Sequence, residues 1–126
     1  MPGKKILVVD DSASIRHVVS IALRGAGYEV IDACDGKDAL SKLNGDKINL
    51  IISDVNMPNM DGYRLTQRLR QLNHHFPIIG VTANALAEGK QRCIEAGMDN
   101  CLSKPVTLDT LRQMLVYYSD KVRRSR

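Results

Sequence analysis

Residues 4–33 read KKILVVDDSASIRHVVSIALRGAGYEVIDA, which is a strand, a helix and a second strand in succession. The run ILVV at 6–9 is apolar without interruption, as suits a strand covered on both faces of a sheet. The segment YEVIDA at 28–33 alternates, as suits a sheet edge. Between them Ile15, Val18, Val19, Ala22 and Leu23 recur at helical spacing and make one apolar stripe. Gly25 and Gly27 stand near its stop, and Ser12 or Ser14 is placed to cap its start.

The same alternation continues to the end of the chain. Further short apolar runs lie at 50–52, 78–81 and, more weakly, 101–102. A short helix is expected over 36–43, and a third marked by Leu65, Leu69 and Leu72 stops before Pro77. A fourth over 85–96 has only Leu86, Ala87, Cys93 and Ile94 to bury, so it should be loosely held. The fifth carries Leu108, Leu111, Leu115, Tyr118 and Val122. Five strands alternating with five helices call for an α/β doubly wound parallel sheet with right-handed crossovers, its strands in the order 2-1-3-4-5. Such sheets bind ligands beyond the carboxyl ends of their strands, at the switch point between the first and third.

A chain of 126 residues leaves room for one domain, 1–126, with its core at about 4–118. With one Phe and no Trp that core is aliphatic. No apolar run reaches the roughly 20 residues of a membrane span and MPGKK is not a signal peptide, so a cytoplasmic protein is expected. Cys34, Cys93 and Cys101 form no CxxC pair, which argues against a zinc site or a disulfide framework and for buried thiols. The net charge of +4 is uneven: residues 1–63 hold seven basic and nine acidic groups, residues 64–126 eleven and five. The basic surplus, including the tail KVRRSR, reads as solvated surface, since no aromatic residues accompany it as stacking platforms for nucleic acid.

Chemistry concentrates at the strand ends. Asp10 and Asp11 follow the first strand, Asp54 the third, Thr82 the fourth and Lys104 the fifth. With neighbouring strands about 4.8 Å apart these side chains converge on one pocket. Three carboxylates in so small a space repel one another, and a hard divalent cation resolves the repulsion. Mg²⁺ fits an all-oxygen donor set: Asp11 and Asp54 are expected as direct ligands, Asp10 through a water, and the main-chain carbonyl of Asn56 as a third protein contact. Lys104 adds a positive charge and the Thr82 hydroxyl a donor. A carboxylate so surrounded has the parts for in-line phosphoryl transfer, with Asp54 as the nucleophile.

Asp10-Asp11, SDVNMPNMDG at 53–62, VTANA at 81–85 and LSKP at 102–105 together resemble the receiver domain of bacterial two-component response regulators, over about residues 4–118. The resemblance implies a flavodoxin-like fold, Asp54 as phosphoacceptor, Asp10 and Asp11 as the acidic pair for Mg²⁺, Thr82 and Lys104 as phosphoryl contacts, and a cis Lys104–Pro105 bond. It implies a histidine kinase or histidine phosphotransfer domain as partner, and a surface of helix 4, strand 5 and helix 5 that changes on phosphorylation and is read downstream. It also implies a domain that assists its own phosphorylation and slow dephosphorylation rather than a turnover enzyme. The N-terminal half is similar to stand-alone chemotaxis regulators. The C-terminal half is similar to receivers of hybrid sensor kinases, notably that of the Rcs phosphorelay, a pattern that a recombined or engineered chain would give. Many family members carry Tyr or Phe where this chain has Leu102, so an aromatic rotamer switch cannot operate there. Asn56 and Asn84 occupy positions that tune hydrolysis of the phosphoryl group, while His17, His74 and His75 fall away from the pocket. The main rival is a haloacid-dehalogenase-type phosphohydrolase, which uses Asp-x-Asp and a cap domain that this chain lacks. A nucleotide or flavin carrier would need a glycine-rich phosphate turn that DDSASIR does not supply.

Overall fold

The computed structural model describes residues 4–43, 47–57, 59–83 and 87–124, with side chains excepted at 87–88 and 119–124. The elements are β1 (Lys5–Val9), α1 (Ala13–Gly25), β2 (Glu29–Ala33), α2 (Gly36–Lys42), β3 (Leu50–Asp54), α3 (Gly62–Gln71), β4 (Ile78–Thr82), α4 (Ala87–Ala96), β5 (Asn100–Ser103) and α5 (Leu108–Arg124). All five strands are parallel, in the expected order β2-β1-β3-β4-β5. Register brings the strand ends level: Val9 pairs with Ser53, Asp54 with Val81 and Thr82 with Ser103. The residues just beyond them therefore share one rim.

Because side chains alternate along a strand, the sheet feeds two core layers. Leu7, Val9, Ile51, Ile78 and Cys101 pack with Ala39 of α2, Leu65 and Leu69 of α3 and Cys93 of α4. Ile6, Val8, Leu50, Ile52, Ile79, Val81 and Leu102 pack with Leu23 of α1 and Leu111, Leu115 and Tyr118 of α5. Burial of each such aliphatic side chain contributes about 1.5–3 kcal/mol. β3 is buried at every residue, whereas β2, at the edge, is fully buried only at Ala33.

Several expectations about helix faces need correction. On α1, Leu23 is buried and Val19 and Ala22 pack on the sheet, but Ile15 and Val18 are exposed, at 38% and 66%. A groove of about 530 Å³ separates that end of α1 from Pro105 and Val106, so no neighbour among the described residues covers them. Leu72 is the C-cap of α3 and is exposed, since the helix ends before another turn can reach the core. Ile94 also faces outward, and α4 buries Cys93 and Ala96 instead. The expected contributions of Leu86 and of the Ala87 and Val122 side chains fall outside the described residues. The expected start of that helix at 85 does too. Cys34 is exposed, unlike the other two cysteines.

Candidate functional site

The β1–α1 turn is built from side chain to backbone. Asp10 Oδ1 accepts from the Ser12 amide at 2.8 Å. Ser12, rather than Ser14, then caps α1 by accepting from the Ile15 amide at 3.4 Å. The Asp10 amide donates to Ala33 O at 3.1 Å, fixing the turn to the end of β2. Arg16, one turn into α1, donates through Nη1 to Asp10 O at 2.7 Å and through Nε to Asp32 Oδ2 at 3.1 Å. Asp10 is thus buried, while Asp11 beside it is exposed.

Asp54 ends β3 and is 3% exposed. Its Oδ1 accepts from the Asn56 amide at 3.2 Å and its Oδ2 lies 3.1 Å from Lys104 Nζ. The chain leaves this point under tight constraint. The Val55 amide donates to Val81 O at 3.0 Å and the Gly62 amide to Val55 O at 3.1 Å. A Cβ on Gly62 would lie 2.4 Å from Asp54 O, so only glycine lets α3 start this close to β3. Asp61 caps α3 through the Arg64 amide at 2.8 Å.

Carboxylate oxygens of Asp10, Asp11 and Asp54 all lie within 4.8 Å of one another. Burial, and then the charges of Asp54 and Asp11, push the Asp10 carboxyl above its ordinary value, against the opposing pull of the Ser12 amide and Lys104. The set is all-oxygen, partly desolvated and balanced by a single lysine, which is the environment a hard divalent cation stabilises. Asn56 follows closely in the chain, and its bond to Asp54 keeps its backbone beside the cluster.

Thr82 is buried at the end of β4, one strand over from Asp54. Lys104 is fixed there at its backbone, since its amide donates to Thr82 O at 2.8 Å. The Lys104–Pro105 peptide is cis. Asn84 lies outside the described residues. Leu102 is a buried core residue. His17 is exposed on α1, and His74 stacks on Phe76 with ring centroids 5.1 Å apart, before β4. Sequence reasoning passed over Arg16. Its one signal was a cationic side chain on the first helical turn after two aspartates, off the apolar stripe.

Residues 6–116 match the family model described as the response regulator receiver domain. The chain belongs to that family. Over 121 residues, 96% of this chain, it is 60% identical to the sensor histidine kinase RcsC of Escherichia coli K12, and both halves of the chain fall within the match. Those residues span 13% of that kinase. The solution structure of the E. coli RcsC C-terminus containing its phosphoreceiver domain shares 58% identity, covers 98% of this chain and 93% of its own, and gives a TM-score of 0.83. The chemotaxis protein CheY4 of Vibrio cholerae shares 40% identity over 91% of this chain and 98% of its own, with a TM-score of 0.86. This receiver domain accordingly works in two-component phosphorelay signalling on a CheY-like, flavodoxin-like fold. The haloacid-dehalogenase alternative has no support. Among the described residues, no helix is long and apolar enough to cross a membrane.

Proposed function

We propose that residues 1–126 act as one receiver unit that takes a phosphoryl group from a phosphohistidine onto Asp54. The observation that carries this reading is the trio of Asp10, Asp11 and Asp54 within 4.8 Å, with Lys104 Nζ at 3.1 Å from Asp54. Asp10, Asp11, Asp54 and the main-chain carbonyl of Asn56 would hold Mg²⁺, Asp10 through a water. The cation would neutralise charge on the carboxylates and the transferring group. An Asp54 carboxylate oxygen attacks phosphorus, the bond from phosphorus to the donor imidazole breaks, and the imidazole leaves with the electron pair. Lys104 and the Thr82 hydroxyl contact the phosphoryl oxygens. The same groups assist the slow hydrolysis that resets the domain, with Asn56 and Asn84 tuning its rate.

The partner is a histidine kinase or a histidine phosphotransfer domain. Exposed Ile15 and Val18 line the apolar groove that runs to Lys104 and Val106, which favours a partner with an apolar surface around its histidine. Phosphoryl donors of this kind are charged from ATP, so the setting is the cytoplasm. The face of α4, β5 and α5 passes the signal on. Whether the unit is a stand-alone regulator or part of a longer hybrid kinase is decided by which phosphohistidine proteins exchange label with it.

Treatment with acetyl phosphate and Mg²⁺, followed by mass spectrometric mapping, should place one phosphoryl group on Asp54. Asp54→Asn should remove the label and excess chelator should prevent it in the native chain. Undiminished label on Asp54→Asn would refute the assignment, and label that persists in chelator would refute the metal's role.

A further inference from the structure

Cys93 and Cys101 lie in the core layer beneath α2, α3 and α4, outside the acidic cluster. Cys93 comes from α4 and Cys101 from β5, and their Sγ atoms are 2.9 Å apart. Both are free thiols and both are buried. The separation is shorter than the roughly 3.5–4.0 Å of ordinary non-bonded carbon contacts. It exceeds an S–S bond by less than 1 Å, taking that bond as about 2.05 Å. Gly80 leaves the room: a Cβ there would lie 2.6 Å from Met98 Sδ and 3.3 Å from Cys93 Sγ.

The closed domain protects the pair. Burial, and then Cys93, push the Cys101 thiol up to about 12, so it stays protonated at neutral pH. Access depends on α4, which is thinly anchored. Between 89 and 96 only Cys93 and Ala96 are buried, while Ile94 faces out. A helix with so little buried surface opens locally at low free-energy cost, and opening α4 withdraws Cys93 itself from the core.

We propose that Cys93 and Cys101 form an oxidisable dithiol, closed by hydrogen peroxide into a disulfide that ties α4 to β5. In the opened state one thiol loses its proton and its sulfur attacks a peroxide oxygen. The O–O bond breaks, one oxygen leaves as water and a sulfenic acid remains. The second thiol attacks that sulfur, the S–S bond forms, the S–O bond breaks and a second water leaves. Two electrons pass from the sulfurs to one peroxide. The effect of the tether on signalling rests on the reading of α4, β5 and α5 given above; the bond itself does not.

The test uses the full chain with Cys34→Ser, which removes the exposed thiol. The protein is treated with hydrogen peroxide at neutral pH, quenched, unfolded, alkylated and digested with trypsin. No Lys or Arg lies between Arg92 and Lys104, so both cysteines fall in one peptide. That peptide should have lost two hydrogens and should take up no alkyl group, and dithiothreitol should restore both alkylation sites. Amide exchange in α4 should slow in the oxidised chain. Two alkyl groups on the peptide after native oxidation, oxygen adducts in place of the disulfide, or unchanged α4 exchange would each overturn the proposal. Phosphoryl labelling enters none of these readouts, so failure of the phosphoacceptor assignment would be seen separately.

Discussion

Around Asp54 the polar side chains are tied to backbone: Asp10 to the Ser12 amide, Asp54 to the Asn56 amide, Asp61 to the Arg64 amide and Arg16 to Asp10 O. On α4, between 89 and 96, the buried face comes down to Cys93 and Ala96. A centre that must hold like charges together needs over-determined geometry, whereas a helix with little buried surface opens locally at lower cost. One sheet supplies both, because β3 is central and β5 is an edge.

The two regions can be set against each other with the same change made at two glycines. Gly62→Ala drives a methyl into Asp54 O and Val55 Cα, which are backbone atoms that cannot yield, and should cost about 3 kcal/mol or more. Gly80→Ala meets the Met98 thioether, the flexible end of a side chain, and should cost about 1 kcal/mol. Urea unfolding of both variants checks the ratio; equal losses would remove the contrast in rigidity.

Asp10→Asn relieves like-charge repulsion at the rigid centre. It should stabilise the metal-free domain at pH 7 by on the order of 1–2 kcal/mol, and it should cancel most of the stabilisation that added Mg²⁺ gives. The pH dependence has a definite sign. Burial first, and then Asp54, raise the Asp10 carboxyl in the fold, so the native state holds that proton more tightly than the unfolded chain. The Asp10 contribution to stability is therefore largest in acid and is lost as pH rises through the raised value. Asp38, lowered by the Cys34 amide, has the opposite sign. Stability should accordingly rise more steeply in Asp10→Asn than in the parent as pH is raised from the ordinary Asp value of about 3.9 toward neutrality, as measured by unfolding across that range.

The architecture was legible because continuous runs at 6–9, 50–52 and 78–81 leave little choice but buried parallel strands, and the shared rim because Asp54 and Thr82 end strands while Asp10, Asp11 and Lys104 follow them. What escaped depended on neighbours distant in sequence. Ile15 and Val18 satisfy the helical period yet face a groove, since periodicity cannot say what covers a stripe. Arg70 reads as surface charge, but it donates to Gly97 O at 3.0 Å, to Phe76 O at 2.9 Å and to Asp99 Oδ2 at 2.9 Å, clamping α3 to the turn before β5. Its partners lie up to 29 residues away.

The smallest expected effects lie on α4. Ile94→Ala should change stability by less than about 0.5 kcal/mol, since the side chain is 49% exposed. Hydrogen exchange should be faster through α4 than through α3, which buries Gly62, Leu65, Thr66 and Leu69. Strong protection of α4 would remove the contrast.

Lys104 is gripped at both ends, its amide by Thr82 O and its ammonium by Asp54. Anything that adds to Asp54 has to share or displace that ammonium while the amide stays seated on β4. Charge on the central strand and the segment that leads into α5 thus meet in one side chain.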